Sequence, residues 1–61
     1  MRYRALVTDE KGAILRFKDF TADDDTAAAE CAKGLREPRL GLELWNGSRL
    51  VTEWPAEVSS E

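Results

Sequence analysis

Few side chains in this 61-residue chain could do chemistry, and none is a histidine. Three aspartates stand together at Asp23-Asp24-Asp25, and one cysteine, Cys31, follows them. Hard cations need several convergent oxygens. The aspartate run lacks the alternating ligands and the glycine of a calcium loop. It has the character of a helix start, where side-chain oxygens accept hydrogen bonds from free N–H groups and negative charge suits the helix dipole. A nucleophilic cysteine needs a base or a positive neighbourhood to form its thiolate. With no histidine available, Cys31 is expected to be a small buried hydrophobe on the apolar stripe of a helix. A lone cysteine with scattered carboxylates lacks the spacing of a zinc site, and it cannot form an internal disulfide. Glycine-rich phosphate loops and hydrolase elbows are also missing. No enzymatic activity, cofactor, metal or small-molecule ligand is expected.

The remaining candidates are binding residues. Arg2, Arg4, Arg16 and Lys18 gather near the start of the chain, and both tryptophans, Trp45 and Trp54, fall near its end. Cations beside aromatic rings can track a phosphate backbone while bases stack. Against this, the formal net charge is −3 and the pI about 4.9, which opposes attraction to nucleic acid or anionic membranes. No apolar run approaches the roughly 20 residues of a membrane span. The apolar part of the N-terminus is too short for a signal peptide, so a cytoplasmic protein is expected.

The elements that must position these residues are legible from turn signals and periodicity. Tyr3 to Thr8 reads as a strand. Asp9-Glu10-Lys11-Gly12 reads as a type I turn closed by a left-handed glycine, and Ala13 to Phe20 as the returning strand. That loop sets Val7 opposite Leu15 and Ala5 opposite Phe17. Thr21 to Thr26 starts a helix that continues through Ala27 to Arg36, and Pro38 forbids much more. Asn46-Gly47 is a strong hairpin signal. As a two-residue loop it sets Trp45 opposite Ser48, Leu44 opposite Arg49 and Leu42 opposite Val51. Pro55 ends the last strand.

The order is ββαββ, an α+β protein with two layers. One helix is expected to cover one face of a four-stranded, largely antiparallel sheet, with the strand order left open. Residues 1–55 form a single domain and 56–61 a polar tail. The covered face should hold Tyr3, Ala5, Val7, Leu15, Phe17, Leu40, Leu42, Leu44 and Val51. The uncovered face should hold Arg2, Arg4, Leu6, Ile14, Arg16, Lys18, Trp45, Leu50 and Trp54, with the two tryptophans roughly 20 Å apart.

Glu43-Leu44-Trp45-Asn46-Gly47-Ser48-Arg49-Leu50-Val51, following a hairpin and an aspartate-rich helix start, resembles the ending of short uncharacterised alphaproteobacterial proteins. Their recurring mark is E-L-W-x-G-x-R-L-V, and the resemblance extends over most of the chain. It implies a bacterial cytoplasmic origin and no particular mechanism.

A chain this short buries only about 60% of its unfolded surface, and small domains often add a disulfide, a metal or a partner chain. With the first two closed, a partner remains. Tryptophan and arginine dominate interface hot spots. The expected function is therefore a small non-enzymatic protein-interaction module. It would self-associate as a dimer, or bind a protein partner, through Trp45, Leu50, Trp54, Arg4, Arg16 and Lys18. The alternatives are a nucleic-acid-binding module on the same basic and aromatic face, and a small acidic inhibitor presenting Asp23, Asp24, Asp25 and Glu30.

Overall fold

Residues 1–56 are described in the computed structural model. The expected tail lies outside the described residues, apart from Ala56. The elements run β1 (Arg2–Thr8), β2 (Ile14–Thr21), α1 (Asp25–Lys33), β3 (Gly41–Asn46) and β4 (Arg49–Trp54). The strands form one four-stranded sheet in the order β2-β1-β3-β4, antiparallel at every seam. The two hairpins are thus joined through their first strands, and β2 and β4 are left as edges.

The first turn forms as its residues dictate. Gly12 adopts φ 86°, and its N–H donates to the Asp9 carbonyl at 3.0 Å. The Asp9 carboxylate accepts from the N–H groups of Lys11 and Ala13 at 2.8 and 2.9 Å. Thr8 then pairs with Ile14 as that loop requires, but Leu15 is taken up in a bulge and Val7 pairs with Arg16. Every later pair is displaced by one residue. Electrostatics and ring packing give the reason. Without the bulge, Arg4 would face Lys18 and Tyr3 would face Asp19. With it, Arg4 faces Asp19 and Tyr3 faces Phe20. Opposite charges and paired aromatics stabilise a ladder, whereas like charges weaken it. The Tyr3 and Phe20 rings stack at 5.9 Å.

The second hairpin departs in the same way. Its loop is Gly47-Ser48, with Asn46 opposite Arg49 and Gly47 at φ 64°. Ser48 keeps an ordinary φ, which makes Gly47 the first central residue of a type II′ turn. A bulge between Leu44 and Trp45 then sets Leu44 opposite Thr52 and Leu42 opposite Trp54. Without the bulge, Glu53 would turn toward the core. With it, Trp54 does.

α1 is capped by Asp24, whose side chain accepts from the Ala27 N–H at 2.8 Å. It ends at Gly34, three positions short of the expected Arg36 end once Lys33 is its last residue, because glycine is a poor helix former and Pro38 lies just beyond. Ala28 and Ala32 are wholly buried, and their small side chains let the helix lie close on β3 and β4. The core is Tyr3, Ala5, Val7, Ala28, Ala32, Leu42 and Leu44, flanked by Phe20, Leu35, Leu40, Val51 and Trp54. Leu15 and Phe17, expected inside, are 50% and 58% exposed. Cys31, also expected inside, is exposed. At nine residues α1 is too narrow to roof the whole sheet, and the helix-side surface of β2 stays open.

Between α1 and the sheet sits a polar clasp. The Tyr3 hydroxyl donates to Asp25 Oδ1 at 2.8 Å, and the Arg49 guanidinium reaches Asp25 Oδ2 at 3.1 Å. One carboxylate therefore ties β1, β4 and the first turn of the helix. The Tyr3 hydrogen bond, and then Arg49, hold the Asp25 carboxyl below the ordinary aspartate range. Burial, and then that same bond, push the Tyr3 phenol upward.

Candidate functional site: the outer sheet face

Strand alternation assigns the face turned away from α1. β1 contributes Arg2, Arg4 and Leu6, β2 contributes Phe17 and Asp19, β3 contributes Glu43 and Trp45, and β4 contributes Leu50 and Glu53. The register orders them in rows across the sheet. One row reads Asp19, Arg4, Trp45, Leu50, and the next reads Phe17, Leu6, Glu43, Glu53. Each row is half charged and half apolar, with the halves exchanged, so the apolar side chains run diagonally across the face.

The polar groups are held in place. Arg4 forms a fork with Asp19, Nε to Oδ1 at 2.7 Å and a terminal nitrogen to Oδ2 at 3.0 Å. These bonds keep the Asp19 carboxyl below its usual range. The same guanidinium lies 4.6 Å from the centre of the Phe17 ring, a cation–π distance. The Trp45 indole N–H donates to Glu43 Oε1 at 3.0 Å. Glu43 and Glu53 face each other directly across β3 and β4, a like-charge pair that weakens the ladder. Phe17 and Leu50 are open to solvent.

The six residues expected to share one surface are divided between two. Trp45, Leu50 and Arg4 lie together on the outer face. Trp54, Arg16 and Lys18 lie on the helix side. Trp54 packs against the core, with the Arg36 guanidinium 5.4 Å from its ring centre. Arg16 is ion-paired with Glu37. The two bulges cause this division, since each reverses the facing of every residue beyond it. The basic and aromatic platform that a nucleic acid would need is therefore split, and Arg4, one of its cations, is held by Asp19. Of the acidic cluster, Asp24 is occupied as a helix cap, Asp25 in the clasp, and Glu30 lies 4.0 Å from the Lys33 ammonium. Among the described residues, no three histidine, cysteine, aspartate or glutamate side chains converge as metal ligands would, and no helix is long and apolar enough to cross a membrane.

Sequence reasoning missed Phe17 as an outer-face residue. The available signal was pairing chemistry: Arg4 opposite Asp19, and Tyr3 opposite Phe20, both require the displaced register.

The architecture is that of a two-layer α+β sheet protein with one face bare. No protein-family model matches the chain, and neither a curated protein nor a solved structure matches it.

Proposed function

We propose that this protein is a small, non-enzymatic, cytoplasmic interaction module that self-associates through its outer sheet face. The observation that carries this reading is the diagonal of Phe17, Leu6, Trp45 and Leu50 on an uncovered face, over a buried core of seven side chains among the described residues. The charges on that face support a second copy as the occupant. Arg2 and Arg4 lie toward one end of the strands, and the Glu43–Glu53 pair lies toward the other. A two-fold axis that reverses strand direction brings the basic end of one copy over the acidic end of its partner. The mutual repulsion of the two glutamates is then relieved by Arg2 of the second chain. Complementary potentials of this kind fix register in interfaces.

Size sets the strength. A standard interface buries about 800 Å² per partner, roughly a fifth of the 4352 Å² surface of this chain. A single face of four short strands falls below that, so the dimer is reversible and concentration-dependent.

Sedimentation velocity from micromolar to millimolar protein tests the reading. The mass should rise toward that of a dimer, more readily at low salt. Leu50→Lys should hold the protein monomeric with an unchanged circular dichroism spectrum. Arg2→Glu should weaken association, and adding Glu53→Arg should restore it. A strict monomer at millimolar concentration, or full association in Leu50→Lys, defeats the proposal.

A further inference from the structure

The edge strand β2 has an unusual position. Apart from Phe20, which packs on the core, its eight residues are open on both sides, since α1 packs chiefly over β3 and β4. All but Phe20 are exposed. One margin is bonded to β1 and the other is unpaired among the described residues. A free margin of this length is a template for another strand. Its side chains alternate sharply. Phe17 projects from the outer face, while Arg16 and Lys18 project from the helix side.

Those cations disfavour one obvious occupant in its central registers. Two copies pairing antiparallel through β2 about a two-fold axis place residues of the same facing opposite each other. Centred on Phe17, this sets Arg16 against Lys18. Centred on Lys18, it sets Lys18 against itself. Like charges directly opposite destabilise the ladder. The same cations favour a strand bearing carboxylates at alternate positions. Attraction to one partner and repulsion of another then come from the same side chains.

We propose that the free edge of β2 binds an extended segment of another protein in which acidic residues alternate with apolar ones. The segment adds as a fifth strand, with backbone hydrogen bonds supplying affinity and alternate side chains supplying selectivity. Its apolar residues fall beside Phe17. Its carboxylates fall beside Lys18, which makes no ion pair among the described residues, and beside Arg16, where they share the guanidinium with Glu37. The helix side has room for them. A hollow of about 250 Å³ lies between β2 and the segment that follows the helix, lined by Ala5, Val7, Arg16, Phe17, Lys18, Leu35 and Glu37. This surface shares Phe17 with the one proposed for self-association, but its key cation, Lys18, faces the opposite way from Leu50.

The probe is a capped ten-residue peptide of alternating glutamate and valine. A lysine–valine peptide of the same length serves as control, and so does a peptide of the glutamate–valine composition with its glutamates and valines in two blocks. Amide chemical shifts and amide exchange of the full chain are followed by NMR. The glutamate–valine peptide should perturb 14–21 and slow exchange of the β2 amides, while the two controls bind more weakly. Lys18→Glu should weaken the glutamate–valine peptide about three- to tenfold, the loss of one attraction and the gain of one repulsion across a strand pair. The same variant should strengthen the lysine–valine peptide. In the Leu50→Lys background the glutamate–valine peptide should still perturb 14–21, which separates this site from the self-association face. No perturbation at millimolar peptide, equal binding of the acidic and basic peptides, or a response centred on β4 overturns the proposal.

Discussion

Replacing Gly41 by alanine tests the packing where β3 begins. A Cβ at this position would stand 2.6 Å from Thr8 Oγ1, 2.9 Å from the Ala56 backbone nitrogen and 3.2 Å from the Trp54 carbonyl oxygen. Two of these three atoms are backbone, and one belongs to β4, whose ladder fixes it. Threonine can rotate its hydroxyl away, but the main chain at Trp54 and Ala56 must shift. Overpacking of this kind costs about 1–3 kcal/mol. Against it, removing a strand glycine recovers about 0.5–1 kcal/mol of backbone entropy. Gly41 has no positive φ, so no backbone strain is added. The net expectation is a loss of about 1–2 kcal/mol. For a domain of this size each kcal/mol moves Tm by about 4–8 °C, giving a fall of roughly 5–15 °C. Thermal and urea unfolding, followed by circular dichroism, measure it. Adding Thr8→Ala removes the closest contact and should recover part of the loss, with the backbone contacts accounting for the rest. A Gly41→Ala protein as stable as the wild type, or more stable, refutes the reasoning. It would mean that the chain after Trp54 does not press on β3.

Four further expectations follow from the same structure. Leu44 is wholly buried, so Leu44→Ala should lose about 3 kcal/mol, and the half-buried Trp54, cut to alanine, about 2–3 kcal/mol. Urea titration checks both, and a Trp54→Ala protein of wild-type stability would contradict its place on the core. Asp25 has a lowered carboxyl pKa, so its contribution is present above the unfolded value near ~3.9 and is lost as pH falls through the folded one. The Tm gap between wild type and Asp25→Asn should therefore narrow below pH ~4, and a constant gap would count against the clasp. Cys31 is exposed and should react with a thiol reagent in the folded protein as readily as in urea; labelling that waits for unfolding would rule this out.

The order of elements, the single helix, the aspartate cap and the first turn were all readable from local sequence. Each depends on neighbours within a few residues: Asp24 reaching the Ala27 N–H, or Gly12 taking a left-handed φ. The faces were harder to read because they depend on register, and register here is broken twice. A bulge leaves no mark in composition. Leu15 and Val51 are ordinary strand residues, and what makes each the extra one lies on the partner strand. At the first hairpin the choice is made by Arg4 finding Asp19 and Tyr3 finding Phe20. At the second it is made by Trp54 reaching the core while Glu53 stays out. Alternation propagates an error of one residue to the end of the strand. A correct turn therefore still gave the wrong side for Phe17, Arg16 and Lys18. At the candidate site, Trp45, Leu50 and Arg4 were placed correctly because they lie close to a turn or on the uninterrupted β1.

The seam between β1 and β3 also sets how the chain reaches this structure. Within each hairpin, strands meet across a short loop and can close on the microsecond scale. The seam joins residues more than half the chain apart, Arg4 with Trp45 and Thr8 with Gly41. Closing it must pay the entropy of the intervening loop before its contacts reward the ordering. The helix lies within that loop, and its Asp25 bridges Tyr3 of one hairpin and Arg49 of the other. Docking of the helix and closure of the seam are therefore coupled, because one carboxylate is bonded to both hairpins.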